Sequence, residues 1–280
     1  QEGEIHNAER LRIPKVTRVS QPQGDSAALR EAAKLLVAAE HPVIIADRAV
    51  RSAQGLQHMI ALAEALGAPV VDLGNRTNFP STHELDCSFQ RVTLLRDAAV
   101  ILLLEVDNTW GSLNSFSDPY KTYRAIIKPS AKVITISMLD VYHKSNYQDF
   151  QRYMPADLAI GGDVEASLPD LIEAVKRAAT SERKAAFAER AKTVAKIHRD
   201  MKARDKEGAA LGWDASPVST ARLAAEMWNV IKNEKWALPV SDRIPWARRL
   251  WPVTEHYQML GGNGAAGVGG YGPIALGAAL

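Results

Sequence analysis

The stretch whose residue types most plainly serve chemistry is Gly261-Gly-Asn-Gly-Ala-Ala-Gly-Val-Gly-Gly-Tyr-Gly-Pro273. Within it Gly262, Gly264 and Gly267 satisfy G-x-G-x-x-G, the spacing that brings backbone against a pyrophosphate. The context argues against a dinucleotide site. Residues 254–260 do not read as a buried strand. The ribose-binding acid expected about 20 residues later has no place before Leu280. What the glycines do offer is bare backbone able to approach a ligand closely, followed by a helix whose N-terminus favours an anionic or electron-rich group.

Other reactive residue types are scattered. Asp47, Asp72 and Asp107 each fall at or near the end of an apolar run, where catalytic acids gather but loop-capping aspartates are commoner. His83, Glu84 and Asp86 share one loop and could form a relay; a loop satisfied by its own hydrogen bonds is the plainer reading. The seven histidines, His6, His41, His58, His83, His143, His198 and His256, show no metal-ligand spacing. There is no Gly-x-Ser-x-Gly elbow, His-Glu-x-x-His pair, Walker A loop or EF-hand. The single cysteine, Cys87, excludes an internal disulfide and a multi-thiolate zinc site, and no nucleophile signature surrounds it.

The elements that would position these residues alternate. Asp25 and Ser26 offer N-cap oxygens to a helix reaching about Glu40, with Leu29, Ala32, Ala33, Leu36 and Ala39 on one face. His41-Pro42 stops it. Val43–Ala46 is a continuous apolar run, the mark of a strand covered on both faces. A helix from Gly55 to Leu66 closes on Gly67 as a left-handed cap. Strands are predicted at Pro69–Leu73, Ala99–Leu104, Lys132–Ser137 and Leu158–Ile160, and a helix over Val164–Ala179. Strict alternation gives an α/β fold, a Rossmann-like parallel sheet of about five to six strands with helices on both faces.

Residues 181–207 carry nine Lys or Arg against five Asp or Glu and read as a charged, solvated linker helix, with a basic docking face as the sharper alternative. Gly208 and Gly212 are expected to break it. Ser216–Ser219 opens a further helix, and Trp236–Val240 reads as a strand with Ser241-Asp242 at its C-terminal end, where ligands of α/β sheets bind. The expected division is an incoming linker over 1–23, a central domain over 24–180, the linker helix over 181–212, and a truncated second α/β domain over 213–280.

Composition bounds the partners. A chain with 46% hydrophobic residues is long enough for a full core, and at roughly 150 residues per domain it suggests two units. With 34 basic against 32 acidic side chains, nothing favours a nucleic-acid partner. The longest aliphatic run, Ala98–Leu104, is far short of the roughly 20 residues that span a bilayer, and no signal peptide opens the chain. A cytoplasmic setting is the default expectation. The start without Met and the apolar last residues suggest an internal piece of a longer protein.

With these elements in order, the sequence resembles thiamine diphosphate-dependent enzymes of the acetolactate synthase, pyruvate oxidase and benzoylformate decarboxylase type. Gly267-Val268-Gly269-Gly270-Tyr271-Gly272-Pro273 is similar to their Gly-x-Met-Gly-aromatic-Gly-Leu-Pro segment, which leads into a Gly-Ala-Ala helix. Ala39–Ile45 resembles their central-domain opening Ala-x-x-Pro-Val-Ile, Leu62–Val70 their helix-to-strand step, and Phe79–His83 their Phe-Pro-x-x-His loop. The resemblance implies a three-domain enzyme for which this chain supplies the middle domain and the start of the third. It also implies thiamine diphosphate and Mg2+ as cofactors, a small-molecule 2-keto acid as substrate, and a homodimer or homotetramer. The thiazolium carbon would attack the keto acid carbonyl for decarboxylation or carboligation.

By the same resemblance, Val268 is the apolar wedge under the bent cofactor and the Ala266 carbonyl accepts from the pyrimidine amine, flanked by Gly264, Gly267 and Gly269. Asp242, Arg243 and Trp246 sit where the strand-end loop approaches the diphosphate or substrate, and His256 and Tyr257 line the same cleft. No catalytic residue and no metal ligand of the family has a counterpart in these 280 residues, so this piece alone is expected to be inactive. Departures bear on flavin. Ala46-Asp47-Arg48-Ala49 and Glu105–Trp110 stand where flavin-binding members carry a glycine-rich turn and an Arg-Phe-Asp-Asp-Arg-like run, which argues against FAD. Valine for Met at 268 and Gly272 for Leu are milder departures. The rival reading is a non-catalytic nucleotide-binding or interaction module that retains the fold only.

Overall fold

The computed structural model describes residues 17, 19–117, 120, 122–139, 152, 154–239, 245–261 and 271–279. The chain enters through α1 (Ser26–Ala38), whose first turn is held by the Asp25 carboxylate accepting from the Ala28 amide at 2.9 Å. β1 (Pro42–Ala46) follows, buried along its whole length. α2 (Ala53–Leu66) is capped by Ser52 and ends on Gly67 at φ 55°. β2 (Val70–Asp72), α3 (Arg91–Asp97) and β3 (Val100–Leu104) come next. α4 (Thr109–Leu113) leads into an antiparallel hairpin, β4 (Asn114–Ser117) and β5 (Thr122–Ala125). β6 (Lys132–Ser137), β7 (Leu158–Gly161) and α5 (Val164–Ala178) complete the sheet and its cover.

The five parallel strands lie in the order β2-β1-β3-β6-β7. The pattern of burial explains the layers. Ile44, Ala46, Val70, Leu102, Ile134 and Ile136 face one way and pack with α1, α2 and α5. Val43, Ile45, Val71, Ile101, Leu103 and Val133 face the other and pack with Leu95 of α3 and Leu113 of α4. Strands buried on both faces must read as unbroken apolar runs, which is how the sequence reads there. The expected α/β architecture is therefore the observed one. The β4–β5 hairpin and the short α3 and α4 have no counterpart in the sequence reading, because none carries a long periodic pattern.

α6 (Ser181–Ala210) departs from the expected solvated linker. It buries Phe187, Val194, Ala195, His198 and Met201 along one side and runs through Gly208. Helix ends leave four carbonyls without partners, and two α6 arginines fill that need. Arg183 donates to the Val37 and Ala39 carbonyls at the end of α1, both at 2.7 Å. Arg190 donates to the Ala39 carbonyl at 3.1 Å, to Glu40 at 2.9 Å, to Gly67 at 3.2 Å and to Leu66. One helix thus staples the C-termini of α1 and α2.

α7 (Thr220–Ile231), capped by Ser219, and α8 (Pro245–Leu250) pack together, with the Trp251 indole donating to the Ala224 carbonyl at 2.8 Å. Trp228, Trp236 and Trp251 form a cluster with ring centroids 5.3–6.0 Å apart. The strand expected over Trp236–Val240 is, within the described residues, a single parallel bridge between Leu238 and Met259. α9 (Tyr271–Ala279) is the helix expected after the glycines.

Candidate functional site

Of the residues assigned to the cofactor, Asp242, Arg243, Gly264, Ala266, Gly267, Val268 and Gly269 lie outside the described residues. Trp246 lies in α8. Its ring sits against Gly208 of α6, where an added Cβ would come within 3.2 Å, and the Arg249 guanidinium lies 5.7 Å from its centre. Trp246 thus packs α8 onto the long helix. His256 and Tyr257 meet edge to face at 5.4 Å, and the His256 Nδ1 atom is buried without a hydrogen-bond partner.

The structure does fix the approach to the glycine-rich run. Leu238 donates to the Gln258 carbonyl at 2.7 Å, and Leu260 donates back to Leu238 at 3.2 Å. On the other side Met259 donates to Thr77 Oγ1 at 2.9 Å, and the Thr77 amide donates to the Met259 carbonyl at 3.1 Å. Gly261, at φ 95°, then passes so close to the loop after β2 that a Cβ would lie 2.1 Å from the Asn75 carbonyl oxygen. Both the dihedral and the space require glycine there. The chain enters its glycines between Leu238 and the 75–77 loop.

That loop is organised by the aspartates at the strand ends. The Asp72 carboxylate accepts from the Gly74 and Asn78 amides, both at 2.7 Å, and from the Phe79 amide at 3.3 Å. Loop capping is therefore its role. Asp47 Oδ1 accepts from the Asn75 side chain at 2.6 Å. Burial pushes both carboxyls above their ordinary value, opposed at Asp72 first by Arg248 and at Asp47 first by the Asn75 bond. Arg248 donates to the Asp72 carbonyl at 2.9 Å and to Leu73 at 3.3 Å, tying α8 to the end of β2. Arg249 pairs with Asp205 of α6 at 2.5 Å and lies over the Phe89 ring. Arg248 and Asn78 were not singled out by residue type. The only sequence cue was Asn78 before Phe79-Pro80, a turn signal.

The reactive-looking loop residues are structural. His83 Nδ1 accepts from the Leu85 amide at 3.1 Å and its Nε2 faces Glu64 at 3.3 Å, while Asp86 points elsewhere, so no relay forms. Asp86 accepts from the Ser88 hydroxyl at 2.5 Å, and burial pushes its carboxyl up to about 6. Its carbonyl accepts from His198 Nδ1 at 2.7 Å, which fixes the proton on that nitrogen. Cys87 is buried, and burial followed by the Asp86 charge pushes its thiol up to about 12, the opposite of an activated nucleophile.

Chemistry sets the fit to thiamine diphosphate. Residues 264–269, which by type are glycines, alanines and one valine, lie outside the described residues. The α8 guanidiniums of Arg248 and Arg249 are engaged by the protein itself, with the Asp72 carbonyl and the Asp205 carboxylate. At the ends of β3 and β6 a cavity of about 40 Å³, bordered by Val106, Asp107, Ser137 and Met154, has room for a few waters. Among the described residues no group of three or more His, Cys, Asp or Glu could hold a metal, and no helix is long and apolar enough to cross a membrane.

Comparison with known proteins agrees with the fold. The family model described as thiamine pyrophosphate enzyme, central domain, matches residues 29–171, about half of the chain. The chain belongs to the thiamine pyrophosphate enzyme family, with its central sheet as the family's central domain. Among curated proteins it is 37% identical over 100 residues to sulfoacetaldehyde acetyltransferase of Castellaniella defragrans, covering 33% of this chain and 17% of that protein. It is 28% identical over 155 residues to acetolactate synthase of Mycobacterium bovis, covering 51% and 22%. The chain thus spans less than a quarter of the length of either relative. Among solved structures, benzoylformate decarboxylase from Polynucleobacter necessarius aligns with a TM-score of 0.38 at 18% identity, over 59% of this chain and 30% of that one.

Proposed function

We propose that this chain is the central and following segment of a thiamine diphosphate- and Mg2+-dependent enzyme that decarboxylates or carboligates a 2-keto acid. The supporting observation is the family match over residues 29–171, followed in order by α6, α7, the Leu238 segment and the glycine-rich run. In this reading 24–180 is the central domain, 181–212 the linker and 213–280 the start of the cofactor-binding domain. The relatives named acetyltransferase and acetolactate synthase favour carbon–carbon chemistry on small acids or aldehydes over any macromolecular substrate.

Within this chain, Val268 would support the cofactor from beneath and the Ala266 carbonyl would accept from its pyrimidine amine. Gly264, Gly267 and Gly269 would keep side chains out of the way. Arg243 would meet the diphosphate, with Asp242 and Trp246 beside it on the same loop and helix. When bound, the thiazolium ring serves as an electron sink for bond cleavage beside the carbonyl. The chain's own contribution would be orientation, and what supports it is the anchoring of the backbone up to Gly261 between Leu238 and Thr77. The oligomeric form is proposed as a homodimer or homotetramer, and a cytoplasmic setting follows from the metabolic reading.

Titration calorimetry of the full-length protein with thiamine diphosphate and Mg2+ is the test. Saturable heat that falls at least about tenfold in affinity for Val268→Ala supports the assignment. Absence of heat together with an unchanged melting temperature would instead favour the non-catalytic module.

A further inference from the structure

In an open parallel sheet, ligands bind outside the carboxyl ends of the strands where the strand order reverses. With the order β2-β1-β3-β6-β7, that point lies between β1 and β3, at residues 47–52 and 105–108. A nucleotide pyrophosphate there would use free amides of the turn after β1 and the N-terminus of α2. In this chain the amides of that turn are already taken, and a side chain lies over the helix end.

Five consecutive amides have internal acceptors. Asp47 donates to the Leu104 carbonyl at 3.1 Å and Arg48 to the Glu105 carbonyl at 3.4 Å. Ala49 and Val50 both donate to Asn78 Oδ1, at 2.9 and 3.2 Å. Arg51 donates to Glu165 Oε2 at 2.7 Å, while Glu165 Oε1 accepts from the Ser52 hydroxyl at 2.5 Å. Glu165 belongs to the first turn of α5, yet its carboxylate lies directly on the first turn of α2. A Cβ on Gly55 would fall 2.4 Å from Glu165 Oε2. The glycine and the helix end that would admit a phosphate thus admit this side chain. A second pair holds α5 in place: Arg51 meets Asp163, the α5 N-cap, at 2.7 Å.

We infer that the Glu165 carboxylate is a built-in anion that closes the nucleotide crevice of the central domain, which therefore takes no flavin or other dinucleotide there. The inference rests on the geometry of residues 47–55 and 163–165, with Asn78, Leu104 and Glu105 as acceptors, and stands or falls independently of the thiamine assignment.

The test is amide hydrogen exchange on the 280-residue chain, with sodium pyrophosphate, ADP and FAD as probes. In the native chain the peptide covering 47–56 should exchange slowly, and none of the probes at about 1 mM should change it. Glu165→Ala should speed exchange of the Arg51 amide by about tenfold or more, and pyrophosphate should slow it again by occupying the vacated place. Glu165→Gln, which keeps the shape and one acceptor oxygen, should fold normally and exchange at an intermediate rate; it carries the test if the alanine variant does not fold. Protection of 47–56 in the native chain by ADP or FAD would overturn the inference. So would unchanged exchange in both variants, or an opened crevice that pyrophosphate fails to re-protect.

Discussion

Asp86 and His198 share one peptide unit but respond to acid in opposite ways. The Asp86 carboxyl, pushed from an ordinary 3.8 up to about 6 by burial, holds its proton more tightly folded than unfolded. Its charge therefore costs stability above pH 6, by at most about 3 kcal/mol, and the cost is relieved as pH falls from 6 toward 4. Burial lowers His198 below its ordinary 6.5, so the folded protein keeps it neutral and loses stability once the unfolded chain protonates below that value. Asp86→Asn keeps an oxygen to accept from the Ser88 amide and hydroxyl while removing the charge. It should raise Tm at pH 7.5 by about 2–6 °C. It should also make the fall in Tm between pH 6.5 and 4.5 steeper, because only the histidine penalty is left. A series of melts across this pH range checks it; a variant less stable than the native protein at pH 7.5 would contradict the assignment. At the neighbouring end of α2, Gly67 has φ 55° and an added Cβ would stand 2.2 Å from the Phe187 carbonyl oxygen. Gly67→Ala should therefore cost about 2 kcal/mol or more in chemical denaturation, since the strain meets backbone rather than a movable side chain.

Among the elements, the strands were legible because a sheet covered on both faces demands unbroken apolar runs, and Val43–Ala46 and Val100–Leu104 have no other plausible use. α6 was legible as a helix but not as a docked one. Its charges outweigh a thin stripe of Phe187, Val194, His198 and Met201, and the partners of Arg183 and Arg190 are carbonyls, which carry no residue-type signature. These two arginines predict how the helix is held. Arg190 bridges the last carbonyls of both α1 and α2, and burial, reinforced by Arg183 nearby, lowers its guanidinium to about 10. A lysine can reach one carbonyl group but cannot fork between two helix ends. Arg190→Lys should lose about 1–3 kcal/mol, and Arg190→Met more, because buried carbonyls then lack donors. Faster amide exchange at 38–41 and 66–68, with the β3 amides unchanged, is the expected pattern. Uniform loosening of the whole sheet would mean that α6 is part of the central core rather than stapled to it.

Across the molecule, the glycine-rich run was legible as a composition and a motif order, while the seam that leads up to it was not. That seam joins residues 170 or more positions apart: Arg248 with the end of β2, Met259 with Thr77, and Trp251 with Ser81. Nothing local marks Arg248 as different from Arg249, which turns instead toward Asp205. The last prediction belongs to this scale. Arg248→Met keeps the aliphatic stem but removes the donor from the Asp72 and Leu73 carbonyls and the cation from the Asp72 carboxylate, 4.0 Å away. Breaking a buried contact from one side costs about 2–4 kcal/mol. Part of that cost is electrostatic. Arg248 is the first of the forces holding down the Asp72 carboxyl against burial, so its loss pushes that carboxyl higher still. A raised acid is penalised while ionised and relieved when protonated, so the deficit of Arg248→Met against the native chain should shrink as pH falls from 7.5 to 5. A deficit that stays constant with pH would assign the whole effect to the two carbonyls. In either case amides of 73–79 and 258–261 should open together, since the strand end and the entry to the glycines are held by the same side chain and the same backbone pairs.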